Sequence, residues 1–316
     1  VVGDNVGLNL LGAHNFVDLA GTNTYLSWNS TKLFKGYEDL VTITPTTTDT
    51  VVAGGWQAAT LNDSAYFFQR DYKPLYYTNE TTLSEFKTIE TKSGFTGAAP
   101  KANAVLSAYG RLWAADTSTN KTTVYFSDLL DGSKWGSGSA GSLNIAGTFS
   151  TNSDTIVGLG AHNGALIVFC KNSIVIFKDN DSFQGSFDVT TLQLVETIEG
   201  IGCISRDSIK STGTDILFLS STGVRSLGRT IQEKSQPLRD ISRNVRDDLA
   251  SLVASTADPQ EIKAVYSPIS AFYLLAFPSA KAVYCFNTKA VLEDGSFRVT
   301  TWNNTDHTSY LYDSLN

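Results

Sequence analysis

Residue types that commonly carry catalysis are few and scattered in this chain of 316 residues. Its three histidines, His14, His162 and His307, lie far apart in sequence, so the pattern does not indicate a histidine-rich metal site. Neither the Gly-x-Ser-x-Gly motif of serine hydrolases nor the His-Glu-x-x-His motif of zinc proteases occurs. The sequence therefore predicts no catalytic, cofactor-binding or metal-binding residues, and it predicts that the chain is not an enzyme.

The three cysteines, Cys170, Cys203 and Cys285, each lie among apolar residues of a predicted strand. Their number is odd and no Cys-x-x-Cys pair occurs, so the sequence indicates neither a disulfide framework nor a redox motif. We expect all three to be buried and chemically inert thiols.

Residues 131–135, Asp-Gly-Ser-Lys-Trp, partly resemble the aspartate box of sialidase propellers, a turn motif within a blade. The match is incomplete, because Ser127 lies four positions before Asp131 where the motif has two. The box is structural even in sialidases, so the motif favours a blade turn over glycosidase activity.

Charge limits the partners that this chain can bind. Lysine and arginine number 24 against 31 aspartates and glutamates, which gives a net charge of −7, and no basic patch is evident. Tight sequence-independent binding to nucleic acid is therefore not expected. An acidic surface can still line a path along which DNA passes without adhering. The longest apolar run, residues 271–277, is far shorter than the roughly 18 residues of a membrane-spanning helix.

Short runs of β-branched and aromatic residues recur along the chain, separated by small polar turns. Six segments share one plan of three apolar strands, and their central strands follow one another at intervals of roughly 40 to 60 residues. The central strands are predicted at residues 24–28, 66–68, 111–114, 166–169, 216–219 and 272–275. This spacing predicts an all-β fold, a β-propeller of about six blades. A β-sandwich or barrel is the alternative.

One segment, residues 237–256, breaks the strand pattern and predicts an inserted amphipathic helix. Its apolar residues recur at helical spacing: Leu238, Ile241, Val245, Leu249, Leu252 and Val253. Charged residues occupy the remaining faces, and four of them are candidate subunit contacts: Arg239, Arg243, Arg246 and Asp247. The alternative is a helix that only packs on the rim of the propeller.

The six segments extend over the whole chain, which predicts one propeller domain at residues 1–316. The sequence contains no methionine and stops in a strand-like run at residues 310–316. We therefore expect the chain to be a segment of a longer protein.

Several blade-forming stretches resemble recurring stretches of tailed-phage tail proteins. One is Gly-Arg-Leu-Trp-Ala-Ala at residues 110–115, and the others lie at residues 123–128, 154–159, 164–169, 223–227 and 292–298. On these motifs the chain is similar to the β-propeller tail nozzle, or packaged-DNA stabilisation, family of short-tailed phages. The resemblance covers most of the chain.

The resemblance implies a structural protein of the virion tail, without enzyme activity or cofactor. It implies a homo-hexameric ring below the portal and adaptor, near the tail fibre proteins. The genomic DNA would pass through this ring during ejection. A net charge of −7 is compatible with a lumen that repels the DNA backbone.

Two other functions remain open from the sequence. The chain could be a carbohydrate-binding propeller, either a receptor-binding tail component or a lectin, with exposed aromatic side chains as its platform. The candidates for that platform are Trp56, Tyr72 and Trp135. A propeller hydrolase is the other alternative, and it would need acidic residues clustered on the channel face.

Overall fold

Antiparallel meanders of short strands make up the computed structural model, which describes residues 10–29, 33–36, 41–43, 55–79, 86–150, 154–179, 187–233 and 241–303. The strands form six separate sheets, each with its strands in sequence order. The fold is a six-bladed β-propeller, so the predicted fold class is confirmed.

Blades 1 to 3 each contain four strands. Blade 1 is β1 (Gly12–Val17), β2 (Asn23–Trp28), β3 (Leu33–Lys35) and β4 (Val41–Ile43). Blade 2 is β5 (Gln57–Leu61), β6 (Ser64–Phe68), β7 (Leu75–Tyr77) and β8 (Lys87–Thr88). Blade 3 is β9 (Ala104–Ala108), β10 (Arg111–Ala115), β11 (Thr123–Phe126) and β12 (Gly141–Asn144).

Blades 4 and 6 also contain four strands, whereas blade 5 has three within the described residues. Blade 4 is β13 (Ile156–His162), β14 (Ala165–Cys170), β15 (Ser173–Asp179) and β16 (Leu192–Glu199). Blade 5 is β17 (Lys210–Ser211), β18 (Ile216–Ser220) and β19 (Gly223–Ser226). Blade 6 is β20 (Lys263–Ser267), β21 (Phe272–Phe277), β22 (Ala282–Val291) and β23 (Phe297–Asn303).

The chain divides into two compact units. Unit 1 comprises Val1–Leu159 with Asp181–Thr191, and unit 2 comprises Gly160–Asn180 with Leu192–Asn316. Blades 1 to 3 belong to unit 1, and blades 5 and 6 belong to unit 2. The single domain expected at residues 1–316 stays a prediction.

The second strand of a blade is buried on both faces, as its continuous apolar sequence predicts. In β6, Ala65 and Phe67 pack in the core that contains residues of blade 1. The alternate residues Tyr66 and Phe68 pack in the core that contains residues of blade 3. Neighbouring blades in unit 1 are therefore joined by side chains that point in opposite directions from one strand.

Tight turns join the first and second strands of several blades. Residues 62–63, 109–110 and 163–164 all have positive φ, as a two-residue type I′ hairpin turn requires. Two of these turns use a glycine at the second position, Gly110 and Gly164. At the third turn Asn62 and Asp63 take the left-handed conformation, which asparagine and aspartate tolerate better than most residues.

The inserted helical segment differs from its prediction. The helix expected at residues 237–256 is shorter, because α2 spans Arg246–Ser255 and the preceding residues 241–245 form turns. A helix that the sequence did not predict, α1, spans Leu227–Glu233 directly after β19. Residues 234–240, which include Leu238 and Arg239, lie outside the described residues.

The outer edge of blade 5 is covered by this helical segment. The backbone N–H of Val224 in β19 donates to the Ser242 hydroxyl at 3.0 Å. A side chain thus provides the acceptor for a backbone donor at the edge of the sheet. Ile241 and Leu249 pack in the core shared by blades 5 and 6, with Val245, Leu252 and Val253 beside them. The predicted apolar face of the segment is confirmed at these five positions. No helix among the described residues has the length and hydrophobicity of a membrane span.

Candidate functional site

The first strands of neighbouring blades lie side by side within each unit. In unit 1, β1 contacts β5 and β5 contacts β9, and in unit 2, β17 contacts β20. Side chains that are distant in sequence therefore meet at these junctions. Ionisable side chains gather at the junction in unit 2, where Arg206, Asp207, Lys210 and Lys263 form what we call the Asp207 cluster.

A hydrogen-bonded turn positions the Asp207 cluster. Arg206–Ser208 forms a 3₁₀ turn immediately before β17. The Ser205 hydroxyl donates to the Ile262 carbonyl at 3.0 Å, which connects this turn to the residue before β20. From β21, the buried Tyr273 hydroxyl donates to the Ser208 carbonyl at 2.8 Å. The turn and both first strands are thus held together by buried hydrogen bonds.

Asp207 forms ion pairs with two cations of the cluster. The Lys263 Nζ lies 2.5 Å from Asp207 Oδ2, and the Arg206 Nε lies 3.3 Å from Asp207 Oδ1. The side chains of Arg206 and Lys263 are only 1% and 12% exposed. Solvent therefore screens these charges poorly.

Charge and burial act in opposite directions on Asp207. Burial alone would raise the pKa of its carboxyl, but the charges of Arg206, Lys263 and Lys210 outweigh burial and lower the pKa to about 2. At Lys210, burial lowers the pKa of the ammonium; Asp207 raises it, and the positive charges of Lys263 and Arg206 lower it further. Three cations thus surround one carboxylate.

A second carboxylate, in unit 1, is also surrounded by cations. The Asp116 cluster consists of Arg70, Asn103, Asp116 and Lys121. Asp116 Oδ1 accepts from the Lys121 ammonium at 2.9 Å, while Oδ2 accepts from the Asn103 amide at 2.9 Å and from the Arg70 guanidinium. The cluster connects the loop after β6 to the loop after β10 and pairs both carboxylate oxygens.

Burial shifts the pKa of His14 and of Cys203 away from the range in which either would be reactive at neutral pH. His14 Nε2 lies 2.8 Å from Thr60 Oγ1, across the junction of β1 and β5, and burial lowers the pKa of His14 to about 4. All three cysteines are buried, as predicted, and burial raises the pKa of Cys203 to about 12. Among the residues that the structure describes, no three His, Cys, Asp or Glu side chains gather as metal ligands.

The predicted subunit contacts lie in and just before α2. Arg243 belongs to the turn before the helix, and Arg246 and Asp247 begin the helix. All three are exposed, whereas Arg239 falls outside the described part of the chain. Their role at a subunit interface stays a prediction.

The prediction that exposed aromatic side chains form a platform for carbohydrate binding is wrong. Trp56 and Trp135 are 3% and 9% exposed and belong to the cores between blades, and Tyr72 packs beside one of these cores. The Trp135 indole donates to the Gly132 carbonyl at 2.9 Å, inside the turn that resembles an aspartate box. Asp131 accepts from the Ser133 backbone and hydroxyl in the same turn, so this motif has the structural role that was expected.

Large apolar side chains are exposed instead at the turn tips of unit 1. Leu19, Leu129 and Leu130 are 77%, 51% and 55% exposed. The tips adjoin one another, because the Leu19 N–H donates to Asp63 Oδ1 at 2.9 Å and the Asn62 amide donates to the Leu130 carbonyl at 3.0 Å. We call these three leucines the leucine tips.

Comparison with known proteins reveals likeness of fold only. No family model matches the sequence, and no curated protein matches it. Virginiamycin B lyase from Staphylococcus aureus is similar in structure, with a TM-score of 0.51 and 10% identity over 95% of this chain and 85% of the lyase. PorZ of the Porphyromonas gingivalis type-IX secretion system gives a TM-score of 0.49 at 11% identity over 96% of this chain. The chain spans about a third (34%) of the length of PorZ.

The similarity to virginiamycin B lyase corrects one prediction. The lack of a recognised catalytic motif and the family resemblance led us to expect that the chain is not an enzyme, and this is contradicted because a propeller of the same fold is a lyase. At 10% identity the likeness assigns no active-site residue to this chain. The error lay in treating the absence of a known motif as evidence against catalysis on a scaffold that supports catalysis in another protein.

Sequence reasoning missed the Asp207 cluster. A local signal was present, since the run Arg206-Asp207-Ser208-Ile209-Lys210 places three charged residues at the start of a blade. Lys263 lies 56 residues from Asp207, and only the contact between β17 and β20 brings the two together.

Proposed function

We propose that this chain is a structural component of the tail ring of a short-tailed phage, in which copies of the chain pack against one another around the genome ejection channel. The observation that carries the proposal is the exposure of the leucine tips. Three leucines on adjoining turns, each more than half exposed, are typical of a surface that is buried on assembly.

The residues that carry the family resemblance add support. Residues 110–115 and 123–128 contain β10 and β11, and residues 223–227 contain β19. They thus build blades, and a propeller is the fold that the resemblance implies. The homo-hexameric ring and its adaptor, portal and tail fibre partners belong to the proposal, as do the virion location and the passage of DNA.

Charge is consistent with this role. The net charge of −7 favours a channel wall that repels the DNA backbone and allows the genome to slide. Arg243, Arg246 and Asp247 of the α2 region are proposed as a further contact between neighbouring copies, because both signs of charge are exposed there.

Immunogold electron microscopy of fractionated phage particles tests the location. An antibody to this chain should label the tail axis of intact particles. Label on peripheral fibres would instead favour a receptor-binding component. Signal confined to the soluble fraction would contradict the tail-ring proposal.

Substitution at the leucine tips tests the interface. We expect Leu19→Asp combined with Leu130→Asp to abolish ring formation, measured by analytical ultracentrifugation, while circular dichroism stays unchanged. Val195→Asp is the matched control, because Val195 is 56% exposed on the outer strand β16 and lies outside the leucine tips. Equal loss of assembly in the control would contradict a specific role for the tips.

A further inference from the structure

The outer strand of blade 6, β23, ends its sheet with a long open edge. Its residues pair with β22 on one side only, in regular register from Arg298 to Asn303. The free side of such a strand presents backbone N–H and C=O groups that can pair with another strand. The edge of β23 is therefore a candidate for contact with a further chain.

The outer edges of the other blades are protected in ways that natural sheets commonly use. In blades 1, 2 and 3 the outer strands β4, β8 and β12 have only two to four residues. A bulge interrupts the outer strand β16 of blade 4, and the Ser242 hydroxyl bonds the edge of blade 5. β23 has seven residues, and they include neither lysine nor proline. Its edge lacks the protection that the other blades have.

The contacts of Phe297 show which backbone groups of β23 face outwards. Its N–H donates to the Ile241 carbonyl at 2.9 Å, and its carbonyl accepts from the Asn244 amide at 3.3 Å. Alternate residues of a strand direct their backbone groups to the same side, so those of Val299 and Thr301 also point away from β22. Neither residue forms a hydrogen bond on that side with any described residue. The open part of the edge thus begins after Phe297.

The side chains along this edge are exposed as well. Arg298, Thr300 and Trp302 lie on one face of β23, and Trp302 is 42% exposed. Arg298 is the only charged residue of the strand, and it forms no ion pair within the part of the chain that the structure describes. Arg298 and Trp302 lie about 13 Å apart along the strand, so they cannot contact each other. A contact between this cation and this indole requires a second strand.

We propose that β23 pairs with β23 of a second copy of this chain, antiparallel and centred on Thr300, so that the two blade 6 sheets become continuous. In this register Val299 lies opposite Thr301 of the second copy. The two residues exchange both backbone hydrogen bonds, and the two-fold axis repeats the exchange, which gives about four hydrogen bonds in total. The groups that form them are the ones that point away from β22.

The side chains of β23 are complementary to themselves in this register. Arg298 lies opposite Trp302 of the second copy, where the guanidinium can stack on the indole. Thr300 lies opposite its own equivalent, and paired threonines stabilise neighbouring strands. The single charge of the strand therefore never faces the same charge. This self-complementarity favours a second copy as the occupant of the edge.

Pairing through β23 is distinct from the contact proposed for the leucine tips. Successive copies in a ring contact each other through two different surfaces, whereas copies related by a two-fold axis use the same surface twice. Pairing of β23 would therefore join two copies, or two rings. It does not depend on the proposed tail-ring function.

Cysteine cross-linking of the full chain tests the centre of the pairing, with oxidised glutathione as the oxidant. Thr300 would lie about 4.5 Å from its equivalent between Cα atoms, a separation that a disulfide spans. We expect Thr300→Cys to form a covalent dimer. The three natural cysteines are buried and should not contribute.

Thr301→Cys is the matched control, because Thr301 is exposed on the same strand. In the proposed register the two Thr301 Cα atoms would lie about 8 Å apart, beyond the reach of a disulfide. This variant should cross-link at least about tenfold more slowly than Thr300→Cys. Equal rates, or a faster reaction of Thr301→Cys, would overturn the proposal.

Both cysteine variants are compared in the background that combines Leu19→Asp with Leu130→Asp. The leucine tips cannot mediate assembly in this background, so a dimer that forms there reports on β23 alone. Failure of the pairing would leave the tail-ring proposal standing, and failure of the ring would leave the pairing standing.

Sedimentation equilibrium in the same background measures the pairing without a cross-link. Thr301→Pro removes one outward N–H from each copy, and with it two hydrogen bonds between the copies, so dimer affinity should fall at least about tenfold. Proline is accepted at an edge position whose N–H faces solvent, and thermal unfolding checks that the variant is folded. Unchanged dimerisation of folded Thr301→Pro would overturn the proposal. A chain that is monomeric at the cross-linking concentration would also overturn it, and would leave the edge to a strand of another protein.

Discussion

The Asp116 cluster of unit 1 and the Asp207 cluster of unit 2 both surround a carboxylate with cations, yet they differ in how the donors are used. At Asp116 both cations, Arg70 and Lys121, bond the carboxylate, and Asn103 adds a third hydrogen bond. At Asp207 a lysine remains whose ammonium has no acceptor among the described residues.

The cations of the two clusters also differ in exposure. Arg70 and Lys121 are 32% and 36% exposed, so water screens the positive charge that Asp116 does not neutralise. Arg206 and Lys263 are 1% and 12% exposed, and their charges are screened much less. The comparison teaches that stability depends more strongly on the central carboxylate where its cations are buried than where water reaches them.

Removal of the Asp207 carboxylate should have the largest effect on stability. Asp207→Asn removes the negative charge that pairs with the buried cations Arg206 and Lys263, and breaking a buried ion pair in this way costs about 3 kcal/mol. Urea unfolding at neutral pH measures the loss. A second substitution, Lys210→Gln, should restore part of it by removing one of the opposed charges, whereas Lys289→Gln should restore nothing. A loss below about 1 kcal/mol would contradict the burial of this pair.

Acid should weaken unit 2 through the same group. The cations hold the pKa of Asp207 at about 2, below its usual value of 3.8. Because the folded-state pKa is depressed, the stabilisation is fully present above pH 3.8 and is lost as the pH falls towards 2. The loss amounts to about 2 kcal/mol, less than for the substitution, because a protonated carboxyl still accepts hydrogen bonds.

The difference in unfolding free energy between the unsubstituted chain and Asp207→Asn, followed from pH 5 to pH 2 by urea titration, isolates this contribution. The difference should shrink over the interval below pH 3.8. A constant difference over that interval would mean that Asp207 is not the group that titrates.

Loss of charge at Asp116 should have a smaller effect. Asp116→Asn keeps one oxygen acceptor, and asparagine tolerates the φ of +64° at this position. Because Arg70 and Lys121 remain about one-third exposed, water solvates them when the charge is lost. We expect a cost of about 1 kcal/mol in the same urea assay. A cost equal to that of Asp207→Asn would remove the distinction between the two clusters.

The fold was predictable because a strand covered on both faces must be apolar throughout. This pattern marked the second strand of most blades, such as β6 and β14, and the spacing of the central strands predicted six blades. The end of blade 5 was not predictable. There the Ser242 hydroxyl accepts a hydrogen bond from Val224 where a fourth strand would otherwise pair. The two residues are 18 positions apart, and no local sequence pattern predicts their contact.

The candidate site was less predictable than the fold. Trp56 and Trp135 were candidates for an exposed carbohydrate platform, but both pack in the cores between blades. The ion pair at Asp207 depends on Lys263, which reaches the site from the next blade. Pairings of this kind follow from the arrangement of blades and not from spacing along the chain.

The smallest predicted effects on stability have opposite signs in the two clusters. Lys121→Gln removes a bonded partner of Asp116, so it should lower stability by about 0.5 kcal/mol, a value typical of a partly exposed ion pair. Lys210→Gln removes a cation that lies beside two others, and burial already lowers the pKa of its ammonium. It should raise stability by a similar amount, about 0.5 kcal/mol. Equal destabilisation by the two substitutions would mean that Lys210 is bonded like Lys121.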